Sequence, residues 1–196
     1  TQYYSLLREG LGSVFKQKKV FKLVFFLTLA LAFGGALDEY WPIFADGTGV
    51  PLYGLGIFFG AMSASQAIAS FFSHRFEKKT AGFFYGLFFC GGVLLVLASY
   101  SFTIPSLLLL MLFSSLFTLV QVVFESKLHH AIPSRNRATI ASVSGFFTEI
   151  GTIGIYLGFG VLAQFVEYQI GFLIFGVIIT AIGLGYLISR NKKILL

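Results

Sequence analysis

Charged residues are scarce in this chain of 196 amino acids. Lys and Arg together number 14, Asp and Glu number 8, and 57% of the sequence is hydrophobic. A soluble domain carries about 25% charged residues, because its surface must be covered by groups that interact with water. The composition therefore excludes a soluble domain, a disordered chain and a coiled coil, and a membrane protein becomes the first hypothesis to test.

Cysteine and methionine are also scarce. Cys90 is the single cysteine, so the chain cannot form an internal disulfide and a disulfide-stabilised scaffold is excluded. The chain starts at Thr1, and its two methionines, Met62 and Met111, lie far inside it. We therefore expect this sequence to be a segment of a longer protein or a processed product.

Sequence signatures of enzymes are missing as well. The chain contains no H-E-x-x-H zinc motif and no Walker phosphate-binding loop. Its three histidines, His74, His129 and His130, fall in or beside predicted loops, so we interpret them as interfacial rather than as a proton relay. The sequence predicts no enzymatic activity, no metal site and no cofactor.

Six hydrophobic runs make up most of the chain, each about long enough to cross a hydrocarbon core of roughly 30 Å. They cover residues 21–45, 52–72, 81–100, 104–124, 138–165 and 170–188. Strands of a membrane β-barrel would be about half this length and would alternate in polarity. The sequence thus predicts an all-α integral membrane protein with a six-helix bundle over residues 21–189. Residues 190–196 would form a cytoplasmic tail, and residues 1–20 a cytoplasmic linker that is either an amphipathic helix on the membrane or a simple tether.

The positions of the basic residues predict the orientation of the bundle. All 14 Lys and Arg residues fall within residues 8–22, 75–79, 127–137 and 190–193. These segments lie on one side of a six-span topology, and basic residues are retained in the cytoplasm. Both termini are therefore predicted to be cytoplasmic in a multi-pass protein of the plasma or inner membrane. The positive net charge is then a signal of topology, and membrane lipids rather than nucleic acid are the expected partner.

Polar side chains form stripes along the first, second, fourth and fifth predicted helices, whereas the third and sixth carry none and are predicted to face lipid. This order predicts two three-helix units that are inverted relative to each other around a central cavity. Alternatively, small and hydroxyl residues are simply common where membrane helices touch. The candidate cavity-lining residues are Asp38, Glu39, Gln66, Ser114, Thr118, Gln121, Ser142, Thr152 and Tyr156.

Glu149 is the strongest functional candidate, because it is the twelfth residue of the fifth run and lies about 16 Å along that helix. An ionisable residue at this depth marks a functional site by default, and desolvation favours its neutral form. Three roles remain open: a proton site, a partner for a charge outside this chain, or a protonated structural hydrogen-bond donor. Asp38 and Glu39 lie nearer the outer face, either as an entry gate or at a solvated helix end.

Three loop segments resemble the motifs of one transporter family. Residues 70–79 resemble a G-x-x-x-D-R-x-G-R-K loop, residues 132–138 resemble the later copy of that loop, and residues 6–11 resemble a linker between two bundles. The matching residues of the first loop are Arg75, Lys78 and Lys79, and the departing ones are Ser70, His74 and Glu77. Together with the stripe order, these segments resemble the C-terminal half of a major facilitator superfamily transporter over essentially the whole chain.

This resemblance implies a function by alternating access together with an N-terminal six-helix half, which is either covalently joined or a separate chain. The sparsely charged, aromatic-rich cavity favours proton-coupled export of small organic molecules. An importer of sugars or other nutrients in the same superfamily is the first alternative. A non-transporting six-helix membrane scaffold or receptor subunit is the second.

Overall fold

The computed structural model describes residues 18–131 and 137–189. Within these ranges the chain forms seven α-helices and one short 3₁₀ helix, Ser73–Phe76, and contains no strand. The α-helices are α1 (Lys18–Asp38), α2 (Trp41–Gly47), α3 (Leu52–Phe72), α4 (Ala81–Ser101), α5 (Ser106–Ala131), α6 (Arg137–Phe165) and α7 (Tyr168–Ile188). Most of the predicted linker, the tail and residues 132–136 of the predicted loop motif lie outside the described residues.

Five of these helices, α3 to α7, are long and apolar enough to cross a membrane. The pair formed by α1 and α2 supplies a sixth crossing if the two bent helices count as one span. The prediction of an all-helical protein with several membrane-length helices is therefore confirmed.

The first hydrophobic run differs from the single helix that its composition predicts. It is broken between Asp38 and Trp41, and the two helical parts meet at an angle of 48°. Pro42 explains the break, because proline lacks the N–H group of the helical ladder and its ring clashes with the preceding turn. The indole Nε1 of Trp41 donates a hydrogen bond of 2.7 Å to Oδ1 of Asp38, which ties the two parts together.

Aromatic rings from α1, α4, α5 and α7 pack together in the core of the bundle. The Phe26 ring is fully buried and lies 4.8 Å from the Tyr85 ring of α4, 4.7 Å from the Phe124 ring of α5 and 5.1 Å from the Tyr186 ring of α7, measured between centroids. Tilted and edge-on ring pairs at such distances add to the free energy of burial. One residue of α1 thus joins three other helices.

Helices α4 and α7 approach each other so closely that only glycine fits at the contact. A Cβ atom on Gly92 would lie 2.5 Å from the backbone nitrogen of Thr180, and one on Gly183 would lie 2.7 Å from Cα of Phe89. Small residues permit this kind of backbone approach between membrane helices. The sequence predicted that both helices face lipid, but one face of each helix packs against the other. The sequence pattern did not predict this contact, because glycine adds no polar residue to a hydrophobic run.

We expect Gly92→Val to destabilise the bundle by about 1–3 kcal/mol, because the added side chain meets backbone rather than a movable side chain. The matched control is Gly86→Val in the same helix, where an added Cβ has no heavy atom within 4 Å. The measurement is the fraction of detergent-solubilised protein that remains monodisperse after heating. Equal heat resistance of the two variants would contradict the close α4–α7 contact.

Candidate functional site

A partly open cavity of about 320 Å³ lies between α1, α3, α5 and α6. Each of these four helices contributes at least one polar side chain or a glycine to its wall. The lining residues are Leu31, Gly34, Gly35, Asp38, Gln66, Phe113, Ser114, Phe117, Thr118, Gln121, Thr148, Glu149, Thr152 and Tyr156. The volume falls within the range of about 300–1,000 Å³ that is usual for small-molecule sites.

Helix α6 forms the most polar wall of the cavity. Glu149, Thr152 and Tyr156 follow each other at intervals of three and four residues, which places their side chains on one helix face. Glu149 is the thirteenth of the 29 residues of α6, and its side chain is exposed. An ionisable group therefore lies near the middle of a membrane-length helix and borders the cavity.

The α5 wall has hydrogen-bonding capacity that the described residues do not use. Ser114 is only 3% exposed, and its hydroxyl has no hydrogen-bond partner among the residues described. On the facing helix α6, the hydroxyl of Thr148 likewise has no partner within the described part of the chain. Thr118, by contrast, donates a hydrogen bond of 2.9 Å to the carbonyl oxygen of Ser114. An unsatisfied buried hydroxyl costs free energy, and the cavity wall carries that cost at Ser114 and Thr148.

Aromatic rings complete the cavity wall. The Phe113 and Phe117 rings of α5 lie 4.3 Å apart between centroids. A Cβ atom on Gly34 would come within 3.3 Å of the Phe117 ring, so the missing side chain at this position lets the ring lie against α1. Toward α2, the Tyr40 and Tyr156 rings are 5.8 Å apart, and the Tyr40 hydroxyl donates a hydrogen bond of 3.4 Å to the carbonyl oxygen of Tyr156.

The carboxyl groups of the cavity wall have no basic side chain beside them on that wall. Asp38 and Glu149 both line it, and none of the lining residues is Lys or Arg. Among the described residues there is no cluster of three His, Cys, Asp or Glu side chains that could hold a metal ion.

The structure brings most of the sequence-derived candidates to this one cavity. The candidates on its wall are Asp38, Gln66, Ser114, Thr118, Gln121, Glu149, Thr152 and Tyr156. Glu39 and Ser142 are exposed and are not among the lining residues. Glu39 lies in the break after α1, and Ser142 lies about two helical turns before Glu149, beyond the end of the cavity.

Sequence reasoning missed the apolar part of the wall. Leu31, Phe113 and Phe117 line the cavity but carry no polarity by which a stripe could reveal them. Thr148 was missed because it neighbours Glu149 and lies about 100° away from it around the helix.

The basic loop that contains Arg75, Lys78 and Lys79 lies apart from the cavity, at the end of α3. The Arg75 guanidinium stacks over the Phe72 ring at 4.7 Å. The Lys127 ammonium of α5 donates a hydrogen bond of 2.8 Å to the carbonyl oxygen of Lys79. These contacts connect the α3–α4 loop to the end of α5 and place no basic side chain on the cavity wall.

Comparison of the chain with protein-family models, with curated protein sequences and with solved structures found no match. The chemistry of the site is therefore interpreted from its own residues.

A cysteine at position 152 tests whether the cavity holds water. In a Cys90→Ala background, we expect Thr152→Cys to react with a hydrophilic thiol reagent, because a thiol must ionise in water before it reacts. Val177→Cys is the matched control at mid-helix in α7, since Val177 is exposed but does not line the cavity. The measurement is the labelling rate in membranes. Faster labelling of Val177→Cys than of Thr152→Cys would show that the cavity is closed to water.

Proposed function

We propose that this chain is one six-helix half of a secondary transporter of the major facilitator type, and that it exports small organic molecules in exchange for protons. The observation that carries the proposal is the polar cavity of about 320 Å³ with a carboxylate near the middle of a membrane-length helix. Membrane proteins avoid such residues unless they line a pathway or a water-filled cavity. Alternating access around a midplane site uses this arrangement.

The pairing of helices supports two units of three spans each. The first comprises α1 to α4, with the bent pair α1 and α2 counted as one span, and the second comprises α5 to α7. Helix α1 of the first unit packs on α6, and α5 of the second packs correspondingly on α3. Helix α4 also packs on α5, whereas α1 and α7 meet mainly through side chains such as the Phe33 and Phe175 rings, 6.1 Å apart between centroids. Reciprocal contacts such as those of α1 with α6 and of α5 with α3 are expected when two units are related by a two-fold axis in the membrane plane.

The open side of the cavity supports a second bundle as partner. Helices α3 and α6 are the least buried of the five unbent membrane-length helices. Their glycines Gly56, Gly60, Gly145 and Gly154 have no heavy atom near the position of a Cβ. Small residues on exposed faces permit close packing with another helix, and polar groups facing lipid would be unsatisfied. The partner in this proposal is an N-terminal six-helix half, covalently joined or separate.

Glu149 is the proposed coupling residue. Its carboxyl group borders the cavity and can exchange a proton with water that enters the cavity. A group that changes charge with access to water can couple proton movement to a conformational change. Moving one charge through 100 mV supplies about 2.3 kcal/mol, and each unit of pH difference adds about 1.4 kcal/mol.

The proposed coupling is tested with Glu149→Gln in proteoliposomes that contain the intact transporter. We expect the variant to lose uphill transport driven by a pH gradient and to retain downhill exchange, because glutamine keeps the size but cannot release a proton. The control is Glu167→Gln, an exposed glutamate between α6 and α7 that does not line the cavity. Uphill transport at the parental rate in Glu149→Gln would refute the coupling role. Absence of flux in the parent itself would favour a scaffold function.

The proposed orientation places both ends of the chain in the cytoplasm. In a Cys90→Ala background, Asp46→Cys should react with an impermeant thiol reagent that is added to intact cells, because this exposed residue lies in the last turn of α2, at the end of the first crossing. Lys78→Cys, between α3 and α4, should react only after the cells are opened. Labelling of Lys78→Cys in intact cells would overturn the orientation.

A further inference from the structure

We propose that the start of α4 and the end of α5 bind the phosphate headgroup of an anionic phospholipid. The binding surface is a basic patch that consists of Arg75, Lys78, Lys79 and Lys127. The inference concerns the outer flank of the bundle, and it goes beyond the proposed transport function because lipid binding requires no transport.

Two ammonium groups of the basic patch are held over neighbouring aromatic rings. The Lys79 Nζ atom lies 5.9 Å from the centroid of the Phe83 ring, and the Lys127 Nζ atom lies 5.1 Å from that of the Phe84 ring. Both rings belong to the first turn of α4, which begins at Ala81. Aromatic faces attract cations, so these contacts favour defined positions for the two ammonium groups. Lysines from two separate segments are thus brought to one helical turn.

Lys127 keeps hydrogen-bonding capacity for a further acceptor. Its ammonium group donates a hydrogen bond of 2.8 Å to the carbonyl oxygen of Lys79, which fixes the end of α5 to the α3–α4 loop. An ammonium group has three N–H donors, so donors remain after this bond is made. Phosphate oxygens accept charge-assisted hydrogen bonds from such groups.

The basic patch has a local excess of positive charge. Arg75 and Lys78 are exposed, and the 3₁₀ helix that carries Arg75 packs on α5. The acidic residue of the same loop is Glu77, whose Oε1 atom accepts a hydrogen bond of 3.4 Å from the Ser126 hydroxyl. Within residues 18–131 and 137–189, none of the four basic side chains of the patch forms an ion pair. An anionic group would therefore supply a partner that these residues do not provide.

The basic patch lies at the level where lipid headgroups are expected. The apolar stretch of α3 ends at Phe76, that of α4 begins at Ala81, and that of α5 ends at His130. Lys79 lies between the first two stretches, and Lys127 lies within one helical turn of the end of the third. In the proposed orientation this level belongs to the cytoplasmic leaflet, where anionic phospholipids attract basic clusters beside membrane helices.

The basic patch is directed away from the cavity. At about 100° per residue, Lys127 lies about 120° around α5 from Gln121 and about 180° from Thr118, both of which line the cavity. Among the described residues, none of α4 belongs to the cavity wall. A second bundle that closes the open side of the cavity would therefore leave this flank in contact with lipid.

Apolar surface beside the charges favours a lipid over a soluble anion. The Phe76 and Phe83 rings stack with 5.8 Å between their centroids, and both side chains are only half-buried. They adjoin Lys79, whose ammonium group lies over the Phe83 ring. A phospholipid places its phosphate beside the ammonium groups and its acyl chains against exposed rings, whereas a soluble phosphate uses only the charges.

The test is native mass spectrometry of the intact protein in a nonionic detergent with equal amounts of dioleoylphosphatidylglycerol and dioleoylphosphatidylcholine. The two lipids have the same chains and differ in the net charge of the headgroup. We expect the protein to retain phosphatidylglycerol in preference to phosphatidylcholine. This comparison uses the parent protein, so it does not depend on the folding of any variant. Equal retention of the two lipids would overturn the proposal.

A soluble competitor separates a lipid from a free phosphate ester. Glycerophosphoglycerol is the headgroup of phosphatidylglycerol without its acyl chains. We expect an equal concentration of this compound to leave the lipid bound, because it cannot contact the apolar rings. Displacement of the lipid under these conditions would assign the basic patch to a soluble anion and overturn the proposal.

Variants then locate the binding site. We expect Lys79→Gln to lower the preference for phosphatidylglycerol about fivefold, and Lys79→Gln combined with Lys127→Gln to lower it about 25-fold. Lys79 is exposed, so the single variant tests the site without disturbing the packed end of α5. The matched control is Lys192→Gln combined with Lys193→Gln, which removes the same charge from the terminal basic segment.

Two results of this variant series would contradict the location of the site. An unchanged preference in both Lys79 variants would overturn the proposal. An equal loss in the double variant and in its matched control would also overturn it, because the lipid would then respond to net charge rather than to the basic patch.

Discussion

The cost of leaving a polar group unpaired inside a membrane is the constraint on which the rest of this structure depends. Hydrocarbon offers no hydrogen bonds, so each polar side chain at that depth requires a partner or a water-filled space. The chain meets this requirement by collecting its polar residues from α1, α3, α5 and α6 around one cavity. Its aromatic residues, centred on the buried Phe26, fill the remaining core between α1, α4, α5 and α7. The same constraint therefore explains both features: polar residues gather around the cavity, and apolar aromatic residues gather in the core.

The helical boundaries could be predicted from the sequence because hydrophobic length is a strong signal in this chain. The predicted runs 52–72 and 81–100 differ from α3 and α4 by at most one residue at any end, whereas α5 continues to Ala131, seven residues beyond the predicted end of its run at residue 124. The break after Asp38 was not predicted, although Pro42 carried its signal, because mean polarity alone does not register a missing N–H group. The close contact of α4 with α7 was also missed, since Gly92 and Gly183 differ from other apolar residues only in size.

The candidate site could be predicted only where it is polar. Helical spacing grouped Glu149 with Thr152 and Tyr156, and it grouped Ser114 with Thr118 and Gln121, and all six residues line the cavity. Spacing assigns a residue to a face of its helix, but it does not state how far along the helix the cavity extends. For this reason Ser142 was included although it lies beyond the cavity. Phe113 and Phe117 could not be recognised, because the same residue type that lines this cavity also fills the core.

The glycine contact between α4 and α7 has a mechanical consequence. Where backbone meets backbone, as at Gly92 and Thr180, a change of side-chain rotamer cannot absorb sliding of one helix along the other. The two helices are therefore held in one register, and we expect them to move together as a rigid pair.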